Sequence, residues 1–207
     1  MAPEPAARSS RVVPFADAAR SLLRRTVVSA VDELVRARGW AATTMSDVAA
    51  AAGVSRQTLY NEFGSRHALV EEYVGSEIEA MLVEVEAEVR ADAGDPRAAL
   101  RKAFALFLRL ASDEPIVRII AADAEGGELI RLLTTVGRSI ALGRVSALIV
   151  EVWPQVSAAD ADIVAESLVR LAISHALFPT GDANRTAEDV TRMMGPFVDE
   201  VLGTPRH

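Results

Sequence analysis

The sequence predicts an all-α protein: an N-terminal three-helix head that carries a helix-turn-helix, followed by a C-terminal helical bundle. Three observations lead there. Alanine, the best helix former, is the most abundant residue. β-branched and aromatic residues never form the alternating runs of strands. Apolar residues instead recur at helical spacing between recognisable caps and breakers.

The elements follow in order. Residues 1–16 read as an arm bearing Arg8 and Arg11, and residues 17–38 as the first helix, with Leu23, Val27, Ala30, Val31 and Leu34 on one face. Gly39 supplies its C-terminal cap. Thr44 is placed to cap a second helix, with Asp47 three residues on completing a capping box, and that helix runs to Ala52. Gly53 allows a left-handed turn, Val54 is an apolar plug, and Ser55 caps a third helix from Arg56 to Phe63. Ser65 caps a fourth, to about Ala91, long enough at 1.5 Å per residue to connect head and body. Asp95-Pro96 opens a helix to Ala111, and Asp113-Glu114-Pro115 a short one to Ala122. Gly126-Gly127 precedes a long helix to Val152. Ser157 and Thr186 cap the last two, which end at Phe178 and Leu202.

Composition narrows the function. The chain of 207 residues has no cysteine and three scattered histidines, so disulfides, thiolate metal sites and cysteine nucleophiles are excluded, and neither metal nor cofactor is expected. No signal-peptide pattern and no long uncharged apolar run is present, which predicts a soluble, cytoplasmic protein without a membrane partner. Net charge is −7, unevenly spread: residues 1–66 carry +3 and residues 67–207 carry −10. A basic head on an acidic body is the footprint of a nucleic-acid reader. The carboxylate pairs Asp123 with Glu125 and Asp160 with Asp162 sit at helix ends with no nucleophile or metal ligands beside them, so the chain reads as no enzyme.

Two short helices joined by Ala52-Gly53-Val54-Ser55 have helix-turn-helix spacing, which puts the front of the second helix at base edges in a major groove. The stretch from Gly39 to Leu69, GWAATTMSDVAAAAGVSRQTLYNEFGSRHAL, resembles the head motif of the TetR family of bacterial transcriptional regulators nearly end to end. The resemblance implies a DNA-binding domain over 17–66 and an effector-binding and dimerisation domain over 67–207. It also implies contacts to operator DNA from Thr43, Thr44, Ser55, Arg56, Gln57, Thr58, Tyr60, Asn61 and Arg66. Thr43, Thr44, Tyr60 and Arg66 are expected at phosphate. Gln57 is suited to adenine, Arg56 to guanine and the Thr58 methyl to thymine. Glu62 and His67 depart from the family's pattern. A carboxylate at position 62 is unfavourable near phosphates unless it accepts from cytosine N4 or turns away.

The family resemblance further implies a homodimer and a small-molecule pocket. Ile163, Leu168, Val190, Met194, Phe197 and Val201 are expected to pair the last two helices with those of a second copy as an isologous bundle. Phe104, Phe107, Leu108, Ile120, Leu133, Val136, Ile140 and Leu171 are expected to line a pocket for a hydrophobic effector, with Arg170 and His175 holding a carboxylate head. A repressor released from its operator by a fatty acyl or alkane-like compound is the reading that results. A helical protein adaptor, or an activator of the same family without a small ligand, remains open.

Overall fold

The computed structural model describes residues 15–114, 117–118 and 127–202, and every regular element among them is helical. The arm bearing Arg8 and Arg11 and the pocket candidate Ile120 lie outside these residues. The head comprises α1 (Phe15–Arg38), α2 (Met45–Ala51) and α3 (Arg56–Phe63), and α4 (Arg66–Ala91) leads from it. The body adds α5 (Pro96–Asp113), α6 (Gly127–Leu132), a π-helical turn (Leu133–Gly137), α7 (Arg138–Val152), α8 (Ala158–Leu177) and α9 (Ala183–Leu202).

Most caps work as the sequence implies; Thr186 does not, because the last helix begins a turn earlier at Ala183, where Asp182 accepts from the Asn184 and Arg185 N–H groups. Thr44 and Asp47 form a reciprocal capping box, Ser55 accepts from the Thr58 N–H, Ser65 from Ala68 and Ser157 from Asp160. The Thr44 hydroxyl and N–H, helped by Arg38, hold the Asp47 carboxyl down to about 2.

One apolar core runs from head into body. Val27, Val31 and Val35 of α1 meet Leu59 and Phe63 of α3, and α4 carries the core onward through Leu69, Tyr73, Ile78 and Leu82 to Leu129, Leu132 and Leu177. The helical run Gly127–Val152 packs against α4 and α8. By length and composition it is apolar enough to cross a membrane, although Arg138 and Arg144 interrupt it.

A polar cluster interrupts the core at the seam between α1, α4 and the end of α5. Tyr73, fully buried, donates its hydroxyl to Asp32 Oδ1 at 3.0 Å. Arg36 donates to Asp32 Oδ2 at 2.7 Å and lies 3.6 Å from Glu114. A Glu77 carboxylate oxygen joins those of Asp32 and Glu114 within 4.8 Å. Burial, and then repulsion from Glu114 and Asp32, pushes Glu77 up to about 7 against the pull of Arg36. Between its ordinary 4.5 and that value the folded chain holds a proton the unfolded chain has released, so this group's contribution to stability falls as pH rises through that window. Glu77→Gln should therefore raise the melting temperature near pH 8 and leave it nearly unchanged near pH 4, below the unfolded value. The gain is about 1 kcal/mol after allowance for solvent screening, or roughly 2–4 °C. Equal gains at both pH values in a thermal melt would refute this account.

Candidate nucleic-acid interface and effector cavity

The turn between α2 and α3 is closed by backbone. Gly53 adopts φ +68, the Val54 N–H donates to the Ala49 carbonyl at 3.0 Å, and Val54 packs on the head core. Leu59 and Phe63 face inward from α3, while Arg56, Gln57, Tyr60 and Asn61 share its exposed face. Gln57 Nε2 donates to Asn61 Oδ1 at 2.8 Å, which orients the amide on that face. Ser55 and Thr58 are engaged with each other, their hydroxyls 2.8 Å apart. No described residue pairs with Arg56.

Glu62 has turned away from the exposed face. Its carboxylate accepts from Arg20 Nε at 2.8 Å and Arg24 at 2.6 Å, and Arg24 continues to Glu72 and over the Phe63 ring. Those two guanidinium groups hold Glu62 below the usual carboxylate range, Arg20 contributing most. The pairing fastens α3 to α1 and α4 through charge as well as core.

Two expected phosphate contacts are placed differently. Thr43 is buried, and its hydroxyl donates to the Gly39 carbonyl at 2.9 Å, because the tight turn after α1 leaves that carbonyl without a helical donor. Arg66 is drawn inward: it lies 4.0 Å over the Trp40 ring and donates to the carbonyls of Trp40 at 2.6 Å and Thr43 at 3.2 Å. Thr44 remains exposed at the α2 N-terminus.

In the body, α4, α5, the π turn, α7, α8 and α9 surround a cavity of about 170 Å³ whose lining side chains are all apolar. Phe104, Phe107 and Leu133 line it as expected. Leu108 and Leu171 pack in an adjoining core cluster with Val190, and Val136 and Ile140 pack against the main core. The π turn explains the shift. It adds a residue to the helical turn, so the cavity face proceeds Leu133, Gly137, Ala141, Val145 in steps of four. A straight helix would have presented Ile140 in place of Ala141.

The expected carboxylate anchors do not reach the cavity. Arg170 is exposed and bound to Glu166 at 2.6 Å, and His175 meets Phe104 edge-on at 6.3 Å. On α8 the lining residues are Val164, Leu168, Val169, Ala172, Ile173 and Ala176. Trp153 also lines the cavity, its indole N–H satisfied by the Ala93 carbonyl at 2.9 Å. Sequence periodicity missed the contribution of α4, whose residues Ile78, Met81, Leu82, Val85 and Val89 form one wall.

Of the dimer candidates, Ile163 is exposed, Leu168, Met194, Phe197 and Val201 are half-buried, and Val190 is buried within its own chain. Leu168 and Val201 border the cavity as well. Met193, on the face of the last helix, and Phe178, which the sequence does not single out, are the larger exposed apolar groups on this side, at 60% and 72%.

Comparison with known proteins agrees with this geometry. Residues 27–73 match the family described as bacterial regulatory proteins, tetR family, and residues 95–196 match the bacterial tetracyclin repressor C-terminal domain. The chain is 33% identical over 198 residues to the HTH-type transcriptional regulator AlkX of Mycobacterium tuberculosis, covering 93% of this chain and 94% of that one. It is 32% identical to the TetR family repressor AlkX of a Dietzia species, described as implicated in biodegradation of n-alkanes. That crystal structure superposes with a TM-score of 0.75, covering 86% of this chain and 96% of the other. A TetR-family regulator from Pectobacterium atrosepticum shares the fold at TM-score 0.65 and 22% identity, covering 91% and 98%.

The helix-turn-helix depends on the backbone at Gly53. A Cβ there would meet nothing within 4 Å, so the cost of a side chain is purely conformational. Gly53→Ala should lower stability by about 1–2 kcal/mol, and Gly53→Asn should recover most of it, since asparagine tolerates the left-handed region. Equal melting temperatures for alanine and wild type would show that the turn does not need that conformation.

Proposed function

The chain belongs to the TetR family of bacterial transcriptional regulators, and from that premise we propose that it is an operator-bound repressor released by a long apolar molecule. What carries the reading is that a single helix, α4, is capped within the head by Ser65 and walls the cavity from Ile78 to Val89. Anything that changes the cavity therefore acts on the helix that holds the head.

On the DNA side, residues 17–66 are the reading unit and residues 67–207 the body. Arg56, Gln57, Tyr60 and Asn61 form the base- and phosphate-contacting face, with Thr44 at phosphate and Ser55 and Thr58 setting the helix entry. Two such heads are required to read two half-sites about one DNA turn apart. We assign the dimer contact to the exposed side of α8 and α9, where Ile163, Phe178 and Met193 stand in solvent in the isolated chain. A regulator of this kind works on chromosomal DNA in the cytoplasm.

The effector class follows from the lining. A carboxylate placed inside the cavity would find no donor and would carry its full desolvation cost. An alkane fits, as does an acyl chain whose polar end stays outside. The relative implicated in n-alkane biodegradation supports the same class.

Fluorescence anisotropy on duplexes from the gene's own upstream region, run across a salt series, tests the DNA reading. Affinity should fall steeply with salt through counterion release, and Gln57→Ala should cost about 1–3 kcal/mol while relaxing preference at one base pair. Binding that is weak and equal on every duplex, with genomic fragment selection also failing, would favour the protein-adaptor reading. Adding n-dodecane should release the duplex with a roughly 5- to 150-fold loss of affinity, and dodecanoate should do no better. Stronger release by the carboxylate would show that a polar anchor exists after all.

A further inference from the structure

Glu128 stands in the first turn of α6, on the body, yet its carboxylate reaches three residues of the head and its exit. Trp40 donates its indole N–H to Oε2 at 3.2 Å, His67 Nδ1 lies 2.9 Å from Oε1, and the Arg66 guanidinium is 3.6 Å from Oε2. Arg66 itself stacks on Trp40 and binds the Trp40 and Thr43 carbonyls, which belong to the turn leading into α2. One carboxylate thus holds the turn before the helix-turn-helix and the start of the connector together. The hydrogen bond with His67 and then that with Trp40 outweigh desolvation and keep Glu128 below the usual carboxylate range.

The other end of the same helical run is the cavity wall. Glu128 continues through Leu132 into the π turn, where Leu133 and Gly137 line the cavity opposite Ile78 of α4. Contact there is close: a Cβ on Gly137 would lie 2.3 Å from Ile78 Cδ1. π turns occur mostly as single turns within α-helices, often at functional sites. An occupant that parts Gly137 from Ile78 displaces the run whose first turn carries Glu128.

We propose that Glu128 is the positioning residue that transmits cavity occupancy to the DNA-reading head, clasping Trp40, Arg66 and His67 while the cavity is closed and losing them when it fills. This rests on the reading of the cavity as the effector site, and its test separates the two. The chain has two tryptophans; Trp153 lines the cavity and Trp40 lies in the clasp. Labelled with fluorotryptophan, the intact protein gives one fluorine NMR signal from each place, assigned with Trp40→Phe and Trp153→Phe.

Titration with n-dodecane should shift both signals along the same concentration curve. In Glu128→Gln, which keeps the side chain's size, the Trp153 shift should persist while the probe-induced Trp40 shift disappears. The accompanying loss of operator affinity should shrink from its wild-type 5- to 150-fold range to within about twofold of none. His67→Gln should give a partial loss of both responses. A residue that only stabilises the fold would lower the melting temperature and leave the probe-induced Trp40 shift intact, and that result overturns the proposal. So does a Trp153 response in the wild type with Trp40 unmoved, which leaves the cavity reading standing. Silence of both tryptophans removes the occupant, and the clasp as a transmitter falls with it.

Discussion

The molecule is organised around the demand that α4 serve two cores at once. Over its 26 residues, about 39 Å of helix, Leu69, Val70, Tyr73 and Val74 are buried at the head end, and Ile78 through Val89 face the cavity. Because the main core is continuous across this helix, head and body cannot reorient independently as two beads on a linker would. Movement of one is packing strain in the other. That continuity makes a buried cavity in the body consequential for a helix-turn-helix whose own residues never touch it.

Polar groups at the seam are arranged so that the strain has places to be relieved. Tyr73, Asp32, Arg36, Glu77 and Glu114 meet between α1, α4 and α5, and Glu128 joins Trp40, Arg66 and His67 between α6 and the head. Around fully buried Tyr73, withdrawing one partner costs heavily and moving both together costs little, whereas the Glu128 pairs are partly exposed and screened. The Tyr73 seam therefore favours discrete arrangements over continuous deformation. The same pairing also changes the meaning of the head's charge. Arg20, Arg24, Arg36, Arg38 and Arg66 are engaged with carboxylates of the protein itself, so the +3 of residues 1–66 overstates what faces solvent near α3. Among the described residues nothing pairs with Arg56 on the exposed face of α3.

The head was legible because its instructions are local. Thr44 with Asp47, Ser55, Gly53 and Ser65 each specify a cap or turn within four residues, and each does so in the structure. Glu62, an oddity in the sequence, became intelligible once Arg20 and Arg24 were brought beside it by the packing of α1 on α3, a contact across about forty residues that spacing does not encode. The cavity was half legible for two physical reasons. Period-3.6 extrapolation fails across the π turn, beyond which Ala141 rather than Ile140 lines the cavity. Periodicity also finds apolar faces without saying what covers them: Val190, expected against a second copy, is covered by α5 of its own chain.

The cavity exists because small residues line it where large ones would close it. Ala103, Ala111, Gly137, Ala141, Ala172 and Ala176 occupy crossings of the body helices. At about 24 cal/mol per Å³, the scaling found for cavities left by core truncation, an empty volume of 170 Å³ forgoes roughly 4 kcal/mol of packing. An apolar occupant recovers part of that without satisfying a single polar group, which is why the wall needs no hydrogen-bond donor to bind. Release from DNA needs only the part of that recovery that differs between the two states of the head, roughly 1–3 kcal/mol for a useful coupling. The cavity's deficit exceeds that requirement. On the proposed reading, such a wall drives a switch only to the extent that an occupant packs better in one state of the head than in the other. It selects by what it excludes: any molecule that would have to bury a charge to enter.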